Sequence, residues 1–345
     1  MKILMITSRA DVGGGPKYTL DLLKSLSKIM DVYSASPMDK PFYELYKKYS
    51  KNIYAIPHRK FSVFSFLGLI LFLYKNRIKI VHSHGRGAGI YSRLVGLFGF
   101  KVVHTFHGIH FTSNLQGMIA CMIEKCLLPL ADTYIFCSED ERDAAFKRGI
   151  IPKRYELIFN AVNLEKFSWK DSREELKVIG TMARFDPVKG FPELFKNIEY
   201  INSLNCKFQF LIAGASHEDL KDFRIPDNVK ILGEISNIQE FYQSIDLYLS
   251  HSLREGMPLT VLEAMATGIP CLLSEVPGHH YFIKNKMALG FELGHSKDFK
   301  DKLENLVSQN SRQELSFNAF VQLKLNHSLE NLILKNLDVY KKLQA

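Results

Sequence analysis

Two glutamates eight positions apart, Glu255 and Glu263, lie in the segment Arg254-Glu255-Gly256-Met257-Pro258-Leu259-Thr260-Val261-Leu262-Glu263. Carboxylates can hold hydroxyl groups, and the backbone amides of Gly256, Met257 and Leu259 between them can meet an anion. A sugar attached to a diphosphate asks for that combination. Pro258 suits a first helical position, where its missing N–H would be unpaired anyway. Val261, Leu262, Met265 and Ala266 supply an apolar side, and Gly268 followed by Pro270 ends the helix. The helix N-terminus then offers amides and the positive end of its dipole. Glu255 precedes that end, and Glu263 sits one to two turns inside and must reach back to the same mouth. Taken alone, the segment also reads as an amphipathic helix with a capping acid and a solvated glutamate.

Cations accompany the carboxylates. Thr181-Met182-Ala183-Arg184-Phe185-Asp186-Pro187-Val188-Lys189-Gly190 follows a strand candidate, so Arg184 and Lys189 leave a strand's carboxyl end, where they can neutralise a diphosphate. Gly13-Gly14-Gly15 follows the first strand candidate and opens a helix, which lets a phosphate approach the backbone. It is neither a dinucleotide fingerprint nor a Walker loop. Asp-x-Asp does not occur in the chain, so no metal is expected. Histidines 82, 84, 104, 107 and 110 crowd one stretch without metal-ligand spacing. A strand ending at Thr105 leaves His107 and Gly108 in a loop at the strand's end.

These residues need elements to hold them. Apolar runs alternate with helical patterns in two rounds. The first includes Ile3–Ile6, Ile80–His82, Val102–Thr105 and Thr133–Cys137. The second includes 177–182, Phe208–Ala213, Val229–Leu232, Leu247–Ser250 and Pro270–Ser274. Strands alternating with helices imply parallel sheets covered on both faces, hence two doubly wound α/β domains whose strand ends face an interdomain cleft. Polar residues at 160–172 mark the junction. The expected domains are 1–165 and 166–328, with a C-terminal helix, 329–345, packing back toward the first.

The net charge of +9 is uneven: residues 1–130 hold 18 Lys and Arg against 6 Asp and Glu. Such a half expects an anionic surface or substrate. No nucleic-acid motif accompanies the charge, so nucleic acid is not an expected partner. Cysteines 121, 126, 137, 206 and 271 form no paired motif, which fits buried thiols in a reducing cytoplasm. The opening reads as a strand rather than a secretory signal. The uncharged run Phe61 to Tyr74 is too short to span a bilayer. It reads as a buried helix of a large domain, or alternatively as a helix partly sunk in a membrane interface beside Arg59, Lys60, Lys75, Arg77 and Lys79.

In this order the segments resemble the GT-B glycosyltransferases, specifically glycosyltransferase family 4, over nearly the whole chain. The resemblance rests on Gly13-Gly14-Gly15, on His82-Ser83-His84-Gly85-Arg86-Gly87-Ala88-Gly89 and on His104-Thr105-Phe106-His107-Gly108. It continues through the stretches 160–167, 183–191 and 246–252, and most strongly through the Glu255/Glu263 segment. It implies a retaining, metal-independent transferase that uses a nucleotide-diphosphate sugar, UDP by family habit. The acceptor would be a glycan or lipid-linked sugar of a surface polysaccharide, met in the cytoplasm or on the inner membrane face. By this resemblance Glu263 holds the ribose and Glu255 faces the sugar ring. Arg184 and Lys189 neutralise the diphosphate, aided by amides of Gly14, Gly15, Gly256, Met257 and Leu259 around Pro258. His107 contacts the donor sugar and aligns it with the acceptor. The chain departs from the family at Asn160-Ala161-Val162-Asn163, where Asn-Gly-Val/Ile-Asp is usual. A nucleotide-sugar epimerase of the same fold, or a non-catalytic relative, would carry many of the same residues.

Overall fold

The structure is a computed structural model that describes residues 1–109, 114–205 and 207–344. His110 and Cys206 lie outside the described residues. The chain forms two compact units, residues 1–160 with 330–345, and residues 161–329.

The first unit is built on a seven-stranded parallel sheet ordered β3-β2-β1-β4-β5-β6-β7. Its strands are β1 (Lys2–Thr7), β2 (Asp31–Ser36), β3 (Ile53–Ala55), β4 (Ile80–His84), β5 (Lys101–Thr105), β6 (Thr133–Phe136) and β7 (Tyr155–Leu157). The connecting helices are α1 (Gly14–Leu26), α2 (Phe42–Tyr49), α3 (Val63–Asn76), α4 (Arg86–Gly96), α5 (Leu115–Leu127) and α6 (Glu139–Lys147). Parallel strands carry helices on both faces, so their side chains are buried on both sides; Ile3, Leu4, Met5 and Ile6 are all fully buried.

The second unit has a six-stranded parallel sheet ordered β10-β9-β8-β11-β12-β13. It comprises β8 (Val178–Met182), β9 (Gln209–Ala213), β10 (Val229–Gly233), β11 (Leu247–Ser250), β12 (Cys271–Ser274) and β13 (Leu289–Phe291). Around it lie α7 (Phe191–Ser203), α8 (Ile238–Ser244), α9 (Leu259–Ala266), α10 (His280–Lys284), α11 (Ser296–Asn305) and α12 (Gln309–Asn326). The last helix, α13 (Leu329–Lys342), belongs almost wholly to the first unit, where the Tyr340 hydroxyl meets His82 Nδ1 at 2.7 Å.

In each sheet the strand order turns at one place, between β1 and β4 and between β8 and β11. Chain leaving the carboxyl ends of strands at such a switch point is where α/β sheets place ligands. The glycine loop follows β1, His107 follows β5, Arg184 and Lys189 follow β8, and Glu255 follows β11.

Two local expectations are corrected. Pro258 is the N-cap of α9, with φ −71° and ψ 126°, and the helix begins at Leu259. Its ring tolerates this extended conformation as readily as a first helical turn. The apolar run from Phe61 is not a buried helix. Only Leu69, Ile70 and Leu73 of α3 are buried, because α3 covers the sheet from outside and nothing described covers α3 in turn.

Candidate functional site

In the second unit, four short stretches bring charge together. After β8, Asp186 caps a single 3₁₀ turn, Pro187–Lys189, by accepting the Val188 N–H at 3.0 Å. Gly190 then takes φ 66°, and a Cβ there would stand 2.3 Å from the His251 carbonyl, so only glycine fits. That turn fixes Lys189, whose ammonium donates to Glu255 Oε1 at 2.5 Å. Ser252, just past β11, donates its hydroxyl to the same oxygen at 2.6 Å. On the other side Gly278, at φ 90°, lets the chain approach the Glu255 backbone, whose N–H donates to Pro277. Burial alone would raise the Glu255 pKa. Lys189, His279 and the two hydrogen bonds outweigh it, and the carboxyl lies below its ordinary range.

Helix α9 starts four residues later. Val261, Leu262, Ala264, Met265 and Ala266 are buried, and Thr267 with Gly268 at φ 81° ends it as the sequence expects. Glu263 is buried too, rather than solvated, and its Oε2 accepts the Tyr242 hydroxyl at 3.0 Å. That hydroxyl stands 2.9 Å from the Thr260 carbonyl, so the carboxylate does lean back one turn toward the helix start. Arg184 sits exposed just beyond β8, and buried Met257 precedes the helix.

In the first unit His107 belongs to a chain of buried histidine contacts. His107 adopts a left-handed backbone, φ 57°, and its ring packs edge-on against Tyr18 with centroids 4.5 Å apart. His107 Nε2 is 3.1 Å from His84 Nδ1, His84 Nε2 is 3.5 Å from Met5 Sδ, and His107 Nδ1 is 3.6 Å from Cys137 Sγ. A thioether only accepts, so His84 Nε2 carries the proton and His84 Nδ1 accepts. His107 Nε2–H then donates, and its Nδ1 accepts from the Cys137 thiol. Burial pushes that thiol well above its usual range, so it keeps its proton. Burial also pulls His107 down to about 4. The ring is therefore neutral near pH 7, with both nitrogens already committed inside the unit. Gly14 and Gly15 open α1, and a Cβ at Gly15 would meet nothing within 4 Å. The backbone there is open to a ligand.

Five residues that the sequence reading did not single out support these groups: Ser252, Tyr242, His279, Cys137 and Glu141. One carried a signal. Ser138-x-x-Glu141 is a capping-box pattern, and Ser138 does cap α6 by accepting the Glu141 N–H. The Glu141 carboxylate passes its own helix start and accepts the N–H groups of Cys137, at 2.7 Å, and of Gly108. It thereby ties α6 to the His107 loop. Burial raises it to about 7, against the two amide bonds that favour its charge. Among the described residues no group of three or more His, Cys, Asp or Glu could hold a metal ion.

The buried histidines give a pH prediction. Burial depresses His82 and His251 to about 3 and His107 to about 4, and holds His84 and His104 well below their ordinary value. Each stays neutral in the folded chain while the unfolded chain protonates it. Stability present above pH 6.5 is therefore lost as pH falls, by about 1.4 kcal/mol per pH unit for each such group. Glu141 acts oppositely, since its folded value is raised: its contribution is full at acidic pH and is lost as pH rises toward about 7. Five imidazoles outweigh one carboxylate. The thermal unfolding midpoint should fall clearly between pH 7.5 and 5.5; a flat or rising midpoint across that range would contradict the assignment.

Comparison with known proteins follows the same division. Residues 12–166 match the model of Glycosyltransferase Family 4, and residues 164–321 match that of Glycosyl transferases group 1. The chain is 29% identical to the UDP-Gal:alpha-D-GlcNAc-diphosphoundecaprenol alpha-1,3-galactosyltransferase of Escherichia coli, over 78% of each chain. It is 24% identical to the capsular polysaccharide biosynthesis glycosyltransferase CapM of Staphylococcus aureus, over 83% of each. Its fold is similar to that of Anabaena Alr3699/HepE, solved with UDP and glucose. The TM-score is 0.83 at 16% identity, covering 99% of this chain and all of that one.

Proposed function

This chain belongs to glycosyltransferase family 4, and from that premise we propose that it transfers a sugar, with retention, from a nucleotide-diphosphate donor to a lipid-linked glycan acceptor in surface polysaccharide biosynthesis. UDP is the proposed carrier and the cytoplasmic side the proposed place. Relatives named for O-antigen and capsule assembly, one of them acting on a diphosphoundecaprenol-linked sugar, support the acceptor class.

The observation that carries the reading is the Lys189–Glu255 pair, lodged at the carboxyl end of β8 just ahead of the N-terminus of α9. As the glycosidic bond loosens, negative charge grows on the departing diphosphate and positive charge on the sugar. A fixed ammonium answers the first and a fixed carboxylate the second, without reorganisation. Arg184 and the amides around Gly256, Met257, Pro258 and Leu259 add to the diphosphate side, and buried Glu263 holds the ribose. Glu255 has one oxygen engaged by an ammonium and a hydroxyl and its pKa held low. It suits electrostatic support better than nucleophilic attack, so the acceptor hydroxyl attacks and the leaving phosphate takes its proton. In the first unit, Gly14 and Gly15 offer backbone to the diphosphate. His107, with both ring nitrogens spent, meets the sugar through its main chain.

Lys189, Arg184 and helix amides take the charge-neutralising role that a divalent ion would otherwise fill. Incubation with a panel of nucleotide sugars and a diphospholipid-linked acceptor should therefore yield an acceptor one sugar longer, with the donor's anomeric configuration. The rate should change less than about twofold in excess chelator. Epimerised donor without transfer, or activity lost to chelator and restored by magnesium or manganese, would overturn the reading.

A further inference from the structure

Helices α3, α4 and α5 form one layer on the first sheet. Leu69, Ile70 and Leu73 of α3 share a core with Ala88, Tyr91 and Val95 of α4, and Phe66 meets Phe98. On the other flank the Arg93 guanidinium of α4 pairs with Glu124 of α5 at 2.6 Å. The outward side of this layer is apolar. On α3, Val63, Phe64, Leu67, Leu71 and Tyr74 are exposed, Phe64 at 88%. On α5, Leu115, Met118, Ile119, Met122 and Ile123 repeat at helical spacing, and all are exposed. Leu97 and Phe98 at the end of α4 join them. A soluble monomer rarely leaves so many large apolar side chains of one layer uncovered.

The charge pattern says what covers it. Between Glu44 and Glu124 the sequence contains no Asp or Glu and eleven Lys or Arg. Glu124 itself is buried against Arg93. The layer thus shows no exposed acid on its three helices, while Lys75, Arg77, Lys79 and Arg86 lie beside it. Among the described residues no helix is long and apolar enough to cross a membrane. A face that is apolar in the middle, cationic at the edge and unable to span is matched to the headgroup boundary of an anionic bilayer.

We propose that the outer face of α3, α4 and α5 lies on an anionic lipid bilayer, with the side chains of α3 and α5 inserted together. The inference deepens the reading above, since it supplies the surface on which a lipid-linked acceptor is met. α5 begins eight residues after His107, so the docked face and the His107 loop are joined by a short stretch of chain.

The test is co-flotation of the full chain with vesicles of phosphatidylcholine containing phosphatidylglycerol, and of phosphatidylcholine alone. Wild type should float with the anionic vesicles, much less with the neutral ones, and less as salt rises. Phe64→Asp with Leu67→Asp, and separately Met118→Asp with Met122→Asp, should each lower the bound fraction about tenfold. Ile29→Asp, exposed after α1, should not. Unfolding midpoints and transfer to a water-soluble acceptor should stay at wild-type values in every variant. No vesicle binding by wild type would overturn the proposal, as would an α5 variant that floats like wild type. So would a wild-type dimer that the aspartates disperse, because the face would then belong to a second copy. Flotation does not need turnover, so a chain that transfers sugar but ignores vesicles sinks this proposal alone. A chain that binds vesicles but transfers nothing sinks the functional reading alone.

Discussion

Glu255→Ala folds normally and transfers sugar about a hundredfold more slowly, the scale on which a preorganised electrostatic contact is lost. The fold survives because the contacts that shape the loop are made by the backbone and by glycines: the Glu255 N–H bond to Pro277, and the close approach of Gly278. Lys189 is left without its carboxylate, but its side chain is 22% exposed and can take up water. The loss should fall on turnover more than on the Michaelis constant for the donor, since charge on the sugar appears only in the transition state. Glu255→Gln keeps the shape and the Ser252 contact without the charge, and should lie nearer to alanine than to wild type. Turnover of Glu255→Ala within about threefold of wild type would refute the assigned role.

Lys189→Ala should be costlier still, lowering kcat/KM by about a hundredfold to a thousandfold, or about 3–4 kcal/mol. The ammonium does two things. In the proposed reading it faces the diphosphate, so its removal should weaken ground-state and transition-state binding together. It is also the strongest of the influences that keep Glu255 ionised against burial. Without it the Glu255 pKa rises, so the variant should acquire a loss of activity on acidification that wild type lacks. Lys189→Arg retains charge but replaces a point donor with a planar fork, and should recover only part of the rate. A Lys189→Ala enzyme with an unchanged pH profile and near-normal kcat/KM would show that the pair is only structural.

Much of this was legible in the sequence because the period of burial is written in apolar runs. β1, β4, β5, β6 and the strands from β8 to β12 are all such runs, and chemistry-bearing residues stand directly after them. β2 was not legible: Asp-Val-Tyr-Ser-Ala-Ser buries two serines, and its register comes from β1 and β3 rather than from its own hydropathy. β3, β7 and β13 are three-residue strands that only pairing defines. At the site, spacing placed Glu255 and Glu263 on either side of a helix start, but it could not show that Lys189 reaches across 66 positions to one of them. The position of His107 just past a strand is readable from the sequence. That its ring is spent on His84 and Cys137 depends on where β4 and β6 flank β5. The run from Phe61 illustrates the limit most clearly. Apolar residues on every side of a helix signal burial, yet sequence does not say whether protein or lipid supplies it.

The central claim is that the second unit holds a nucleotide diphosphate between Lys189 and Glu263. Calorimetric titration of UDP into the wild-type chain, Lys189→Ala and Glu263→Gln tests it most directly, with no acceptor and no turnover required. The account predicts saturable binding to wild type, weakened about tenfold or more by either substitution, which is about 1.4 kcal/mol. UDP binding that is indifferent to both substitutions, or absent from a well-folded wild-type chain for UDP and every other nucleotide diphosphate tried, would contradict it.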